Sequence, residues 1–116
     1  MNFFLEEVEG VKIIKLKEER LDTTIAPDLK AQLLVLIGDG KKLLLNLEDV
    51  QYADSSGLGA ILLGLRQARD GGGLFALCNV QKRVMTMINI AQLANVITIY
   101  SDQKEAIQKM SESPEK

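Results

Sequence analysis

The chain has 116 residues, of which 47% are hydrophobic, and its 14 basic and 16 acidic side chains give a formal net charge of −2. This length and apolar content suit one soluble domain with a real core, and the charge lacks the strong positive excess that nucleic-acid-binding domains usually carry. The sequence holds no histidine, which excludes Ser-His and Cys-His nucleophile pairs and every histidine-ligated metal site. We therefore expect a protein that is not an enzyme, with no catalytic residue, metal site, cofactor or direct contact with nucleic acid.

Apolar side chains follow strand-like runs in some segments and helical spacing in others, which predicts the order of the elements. The predicted strands are Phe3 to Val8, Val11 to Leu16, Leu43 to Leu47, Leu74 to Cys78 and Val96 to Tyr100. The predicted helices are Ile25 to Ile37, Ser55 to Arg69, Gln81 to Ile90 and Asp102 to Met110. Strands that alternate with helices favour parallel pairing with right-handed crossovers. We expect an α/β fold whose mixed sheet of about five strands begins with an antiparallel hairpin, continues largely parallel and carries about four helices.

Polar and glycine-rich segments punctuate these elements. Glu9-Gly10 is a hairpin turn in which glycine adopts positive φ at little energetic cost. Thr24 is the candidate cap for the first helix. Gly71-Gly72-Gly73 is interpreted as a flexible stop, because it precedes a strand and lacks the spacing of a phosphate-binding loop. Asp102 and Glu105 have capping-box spacing, with the hydroxyl of Ser101 as the alternative cap.

The ends of the chain and the cysteine indicate where the protein works. The N-terminus is acidic where a signal peptide would be basic, and no run approaches the roughly 20 apolar residues of a membrane span, so we expect a cytoplasmic protein. Residues 110–116 are polar and are expected to form a flexible tail of a single domain spanning residues 1–116. Cys78 is the single cysteine, in a strand predicted to be buried, and is interpreted as structural. Lys41-Lys42 and Lys82-Arg83 are interpreted as solvated element ends.

The run Asp54-Ser55-Ser56-Gly57-Leu58-Gly59 places a carboxylate, two hydroxyls and two glycines between an apolar strand and a helix. Free backbone N–H groups and the positive end of the helix dipole favour negative charge there, whether from a carboxylate or a phosphoryl group. Two interpretations stay open. Either Asp54 or Ser55 is an ordinary N-cap and the glycines let the helix lie close to the sheet, or a hydroxyl of the run is functional.

The longer string LLLNLEDVQYADSSGLGAILLG, from Leu43 to Gly64, resembles the STAS domain family, and within it the small bacterial anti-sigma factor antagonists (anti-anti-sigma factors). The resemblance implies the STAS fold over nearly the whole chain and identifies Ser55, directly after the aspartate, as the serine that a cognate anti-sigma factor kinase phosphorylates. Leu21-Asp22-Thr23-Thr24 resembles a second family segment, whose aspartate belongs to the partner-binding face. Glu19-Arg20 departs from the family pattern, which commonly has Gly-Glu or Gly-Asp there.

This resemblance implies a protein switch controlled by phosphorylation. The unmodified protein would bind an anti-sigma factor serine kinase of the GHKL type and make it release a sigma factor, whereas the phosphorylated protein would not bind. Mg²⁺ and ATP would belong to the kinase, and a phosphatase acting on phospho-Ser55 would reset the switch. The expected partner-binding residues are Asp22, Thr23, Thr24, Asp54, Ser55, Ser56, Gly57 and Leu58.

Two further expectations remain open at this point. The alternative function is a constitutive STAS scaffold, such as a subunit of a signalling assembly or the accessory protein of a lipid-transport ABC system, in which Ser55 only caps a helix. For the two glycines of the motif, we expect Gly57 to face outward toward a partner and Gly59 to pack against the domain's own sheet, since glycine in a helix is costly unless another backbone comes close.

Overall fold

The computed structural model of this chain describes residues 1–38 and 40–112. Its strands are β1 (Phe3–Val8), β2 (Val11–Leu16), β3 (Arg20–Leu21), β4 (Lys42–Asn46), β5 (Tyr52–Ala53), β6 (Leu74–Cys78) and β7 (Thr98–Tyr100). Its helices are α1 (Ala26–Leu36), α2 (Ser55–Asp70), α3 (Lys82–Ile90) and α4 (Gln103–Glu112). None of the helices in these two ranges has the length and apolar character needed to cross a membrane.

Five of the strands form one mixed sheet in the order β1-β2-β4-β6-β7. β1 and β2 are antiparallel and every other pair is parallel, which confirms the predicted fold class. The hairpin closes through Glu9 and Gly10, whose φ values of 51° and 79° are both positive, as a two-residue turn that follows the strand twist requires.

The sheet separates two apolar layers, because successive side chains of a strand point to opposite faces. Leu43 and Leu45 of β4 belong to the larger cluster, which also includes the buried side chains of α1, α2 and α3. Leu44 belongs to the smaller cluster, which includes Ala106 and Met110 of α4. Three helices therefore cover one face of the sheet, and α4 covers the other.

Several local expectations are corrected. Thr24 does not cap α1, because the N-cap position is Ile25, no side chain caps the helix, and the Thr24 hydroxyl donates to Asp22 Oδ1. The strand predicted from Val96 begins at Thr98. Lys42 is no solvated element end, since it is only 7% exposed.

The Gly71-Gly72-Gly73 segment has a packing role that its sequence did not indicate. A methyl group added at Gly73 would overlap the backbone of Lys41, so glycine is needed where the two segments approach. At the end of the chain, residues 110–112 of the expected flexible tail belong to α4, and residues 113–116 lie outside the described residues.

Candidate functional site

The N-terminus of α2 is capped by Asp54, which decides between the two capping candidates. Its Oδ1 accepts from the N–H of Gly57 at 2.9 Å, and its carbonyl accepts from the N–H of Leu58 at 3.0 Å. Ser55 is therefore the first residue of the helix, and its hydroxyl is not needed as a cap. The side chain of Ser55 is exposed, so it is available to another protein.

A small second sheet brings the 20–24 segment to this helix. β3 and β5 pair in parallel with Arg20 beside Tyr52 and Leu21 beside Ala53. The N–H of Asp54 donates to the carbonyl of Leu21 at 3.1 Å, and Asp22 and Asp54 each follow directly after one of the paired strands. Two segments that the sequence shows about thirty residues apart therefore end side by side, each on an aspartate.

Asp22 is held in place by its own loop. Its Oδ1 accepts from the hydroxyl of Thr24 at 2.6 Å and from the Thr24 N–H at 3.0 Å, while Arg20 Nε lies 3.4 Å from Oδ2. The hydrogen bond from the Thr24 hydroxyl, followed by the one from the Thr24 N–H, lowers the pKa of Asp22. At neutral pH Asp22 is therefore ionised, and it pairs with the guanidinium of Arg20 beside the start of α2.

The structure adds Arg20 and Tyr52, which the sequence analysis did not single out. The guanidinium of Arg20 lies 4.4 Å from the centroid of the Tyr52 ring, a distance at which a cation is attracted to the ring face. The sequence shows only that an apolar residue precedes an aspartate in both Arg20-Leu21-Asp22 and Tyr52-Ala53-Asp54, which does not by itself indicate that the two segments pair.

The expected partner-binding residues divide into a surface group and a buried group. Ser55, Thr23 and Thr24 are exposed, and Asp22, Asp54 and Ser56 are partly exposed. Leu58 is only 6% exposed and belongs to the core, so it does not lie at the surface with the others, and its contact with a partner stays a prediction.

The expectations for the two glycines are wrong in orientation. Gly57 is buried, and a methyl group there would overlap the carbonyl oxygen of Leu21. Gly59 is exposed, and an added Cβ would meet nothing within 4 Å. Gly57 therefore lets α2 approach β3, whereas Gly59 lies on the outer surface of the helix.

Two ion pairs lie at the ends of β2 and β4. Lys15 Nζ is 2.7 Å from Glu48 Oε1, and Lys17 Nζ is 2.7 Å from Asp49 Oδ2. The hydrogen bond from Lys17 lowers the pKa of Asp49. Both adjacent carboxylates thus pair with lysines, one within β2 and one directly after it.

Comparison with known proteins identifies relatives over most of the chain. The family model described as STAS domain matches residues 2–106. An anti-sigma-B factor antagonist from Bacillus subtilis (strain 168) is 31% identical over 88 residues, which cover 76% of this chain and 81% of that protein. An anti-sigma F factor antagonist from Paenibacillus polymyxa is 29% identical over 108 residues, which cover 91% of this chain and 92% of that protein.

Solved structures show the same fold. The anti-sigma factor antagonist SpoIIAA in its unphosphorylated form is 25% identical, with a TM-score of 0.74 over 97% of this chain and all of that one. The phosphorylated form of SpoIIAA from Bacillus, described as a cell fate determinant, is 23% identical with a TM-score of 0.69 over 93% of this chain and 98% of that one. The family match spans both the 20–24 segment and α2, the two parts of the site.

Proposed function

This chain belongs to the STAS domain family, and from that premise we propose that it acts as an anti-sigma factor antagonist. It binds an anti-sigma factor in the cytoplasm and makes it release a sigma factor, so that it regulates transcription as a binding protein and not as an enzyme. The observation that carries this proposal is the exposed hydroxyl of Ser55 at the start of α2, beside the 20–24 segment.

The proposed partner is a serine kinase of the GHKL type that phosphorylates Ser55. The exposed position of Ser55 supports this assignment, because a kinase must reach the hydroxyl. Asp54 caps the helix, so phosphorylation of Ser55 leaves the capping hydrogen bond in place. A phosphatase acting on phospho-Ser55 completes the cycle.

Charge explains how the modification would prevent binding. A phosphoryl group adds about −1.5 to −2 charges at neutral pH. It would add to the carboxylate of Asp54 and to that of Asp22, which pairs with Arg20, so that a contact formed around a neutral hydroxyl must desolvate or repel the added negative charge. The fold itself should tolerate the phosphate, because negative charge is favoured at a helix N-terminus.

The proposed docking surface consists of the exposed part of this site. It includes Ser55 and Ser56 at the start of α2 and the 22–24 segment beside them. Gly59 extends this surface by one turn of the helix, since its open side lets a partner's backbone come close. Gly57 acts from below the surface by fixing the distance between α2 and the 20–24 segment.

The site of modification can be tested directly. Incubation with the cognate kinase and Mg-ATP is expected to add one phosphate to Ser55, and mass spectrometry of the tryptic peptide locates it. The Ser55→Ala protein serves as the control and should accept none. Phosphate found mainly on Ser56 would reverse the assignment while leaving the role as antagonist intact.

The electrostatic mechanism predicts different affinities for two Ser55 variants. Ser55→Ala should bind the kinase as tightly as the unchanged protein does. Ser55→Asp should weaken binding by more than ~1 kcal/mol, because it places a negative charge in the contact. Isothermal titration calorimetry measures both affinities. Ser101→Asp, an equivalent change at an exposed serine before α4, is the matched control and should have no effect. Equal affinities for the two Ser55 variants would contradict the mechanism.

The scaffold interpretation gives a different result in a pulldown with unmodified protein as bait. An antagonist recovers a kinase of the GHKL type, whereas a transport accessory protein recovers transporter subunits. Recovery of transporter subunits in place of the kinase would replace the proposed function.

A further inference from the structure

The outer edge of β1 is open. Within residues 1–38 and 40–112, β1 pairs with β2 alone, at the end of the sheet opposite β7. The strand is six residues long, pairs in continuous register without a bulge and contains no proline. Phe4 is 63% exposed and Leu5 is 49% exposed. Such an edge can accept another strand unless something blocks it.

The hydrogen-bond pattern shows which backbone groups point outward. The Lys17 N–H donates to the Asn2 carbonyl at 2.8 Å, so Asn2 directs its carbonyl toward β2. Hydrogen-bonded pairs alternate along an antiparallel ladder, so Phe4 and the even-numbered residues after it also bond to β2. The N–H and carbonyl groups of Phe3, Leu5 and Glu7 therefore point to the open edge.

We propose that β1 pairs antiparallel with β1 of a second copy of this chain, around a two-fold axis at Leu5. In this register Phe3 of each copy is opposite Glu7 of the other, and Leu5 is opposite Leu5. Every outward donor and acceptor of these three residues then has a partner. A shift by two residues leaves some of them without partners, and in one direction it also places Glu6 opposite Glu6, which repels.

Apolar side chains meet on the face of the sheet that carries α1. Phe3 packs against the larger apolar cluster and lines a surface pocket together with Ala31 and Gln32 of α1. Because α1 runs in the same direction as β1, we expect Val35, one turn after Ala31, to lie toward the level of Leu5. Val35 is 78% exposed and Leu5 is 49% exposed, so in this arrangement they would form an apolar strip along the edge. The two-fold axis brings the strips of both copies together and removes them from water.

Opposite charges meet on the other face. Lys17 Nζ, which pairs with Asp49 at 2.7 Å, also lies 5.4 Å from the centroid of the exposed Phe4 ring. In the proposed register Phe4 is opposite Glu6 of the second copy, in a non-hydrogen-bonded pair, where side chains are closest. The carboxylate of Glu6 is thereby brought toward Lys17 of the other copy, and the two-fold axis creates this contact twice.

The β1 edge lies apart from the start of α2, because β2 and β4 stand between β1 and β6, against which α2 packs. The edge variants change no residue of the proposed docking surface, so the test of the dimer does not depend on the proposed function. Failure of the dimer would say nothing about Ser55, and failure of kinase binding would say nothing about the edge.

Sedimentation velocity over a wide range of protein concentration tests the association. With increasing concentration, the average mass of the unchanged protein should rise from that of one chain toward that of two. Leu5→Lys and Glu6→Lys should stay at one chain, since the first opposes two lysines on the axis and the second faces Lys17. Glu9→Lys in the hairpin turn makes the same charge change off the edge and should dimerise normally. A protein that stays monomeric throughout, or a dimer that both edge variants retain, would overturn the proposal.

Cysteine crosslinking tests the register without depending on a disruptive variant. Leu5→Cys should form a disulfide-linked dimer under mild oxidation, because residues in a directly opposed hydrogen-bonded pair have Cα atoms about 5.5 Å apart. Glu7→Cys should not, since its two copies would lie about 13 Å or more apart along the strands. The native Cys78 is fully buried and does not compete. Equal crosslinking of both variants, or crosslinking of Glu7→Cys alone, would refute this register.

Discussion

Individual residues at the start of α2 show how position decides the role of an amino acid. Gly57 and Gly59 are two residues apart in one motif, yet they lie on opposite sides of the helix. The first is required because the Leu21 carbonyl occupies the space of a side chain, and the second faces open space. The same amino acid therefore contributes to packing at one position and to the surface at the other.

The two glycines predict opposite changes in stability. Gly57→Ala should lower the free energy of unfolding by about 1–3 kcal/mol, because the methyl group forces α2 away from β3. Gly59→Ala should raise it by about 0.5–1 kcal/mol, since alanine is favoured over glycine within a helix. Urea denaturation of the two variants measures both changes. Stabilisation by Gly57→Ala would show that the close approach to Leu21 is not needed.

Among the elements, α2 and the short pair β3–β5 form the site together. The pair has only two residues in each strand, but it fixes the 20–24 segment against Asp54. The cap of α2 is therefore also the point at which the two segments join. Asp54 is therefore fixed by both segments, and the exposed hydroxyl of Ser55 follows directly after it.

The cap predicts a loss of stability at Asp54 that is absent at Ser55. Asp54→Ala should cost about 0.5–2 kcal/mol, because the N–H of Gly57 loses its acceptor. Ser55→Ala should change stability little, since its side chain is exposed and makes no capping bond. Thermal denaturation of both variants provides the comparison. A larger loss for Ser55→Ala than for Asp54→Ala would transfer the capping role to the serine.

At the scale of the whole molecule, one sheet joins strands from Phe3 to Tyr100 and separates two apolar layers. Cys78 lies in the smaller layer beneath α4 and is fully buried. Burial, with smaller contributions from Asp102 and Glu48, raises the pKa of its thiol to about 12. That one domain spans residues 1–116 stays a prediction.

The buried thiol predicts that alkaline pH destabilises the protein. The unfolded chain releases the Cys78 proton near the ordinary pKa of 9.0, whereas the folded protein keeps it to about 12. Below pH 9 the protonated thiol makes its full contribution to the free energy of unfolding. As the pH rises from the ordinary pKa toward the raised pKa, Cys78 should lower the free energy of unfolding by about 1.4 kcal/mol per pH unit. Urea denaturation across this range measures the slope, with Cys78→Ala as the control for other titrating groups. Identical slopes for both proteins would contradict the prediction.

Local pattern in the sequence was sufficient for most elements, whereas the acceptor candidate Ser55 came from the resemblance to the STAS family. β1, β2 and β6 have the predicted bounds, because alternating or continuous apolar runs between turn residues leave few other conformations. The start of α2 at Ser55 is also as predicted, since a carboxylate followed by helical apolar spacing is a local signal.

Tertiary structure alone decided which surfaces these elements share. The sequence does not show that Leu21 approaches Gly57, because that contact depends on the pairing of β3 with β5 across about thirty residues of chain. For the same reason the orientation of Gly59, the burial of Leu58 and the place of Arg20 over Tyr52 could not be predicted. Periodicity fixes which residues an element can bury, and only the packing of elements against one another fixes which of them stay at the surface.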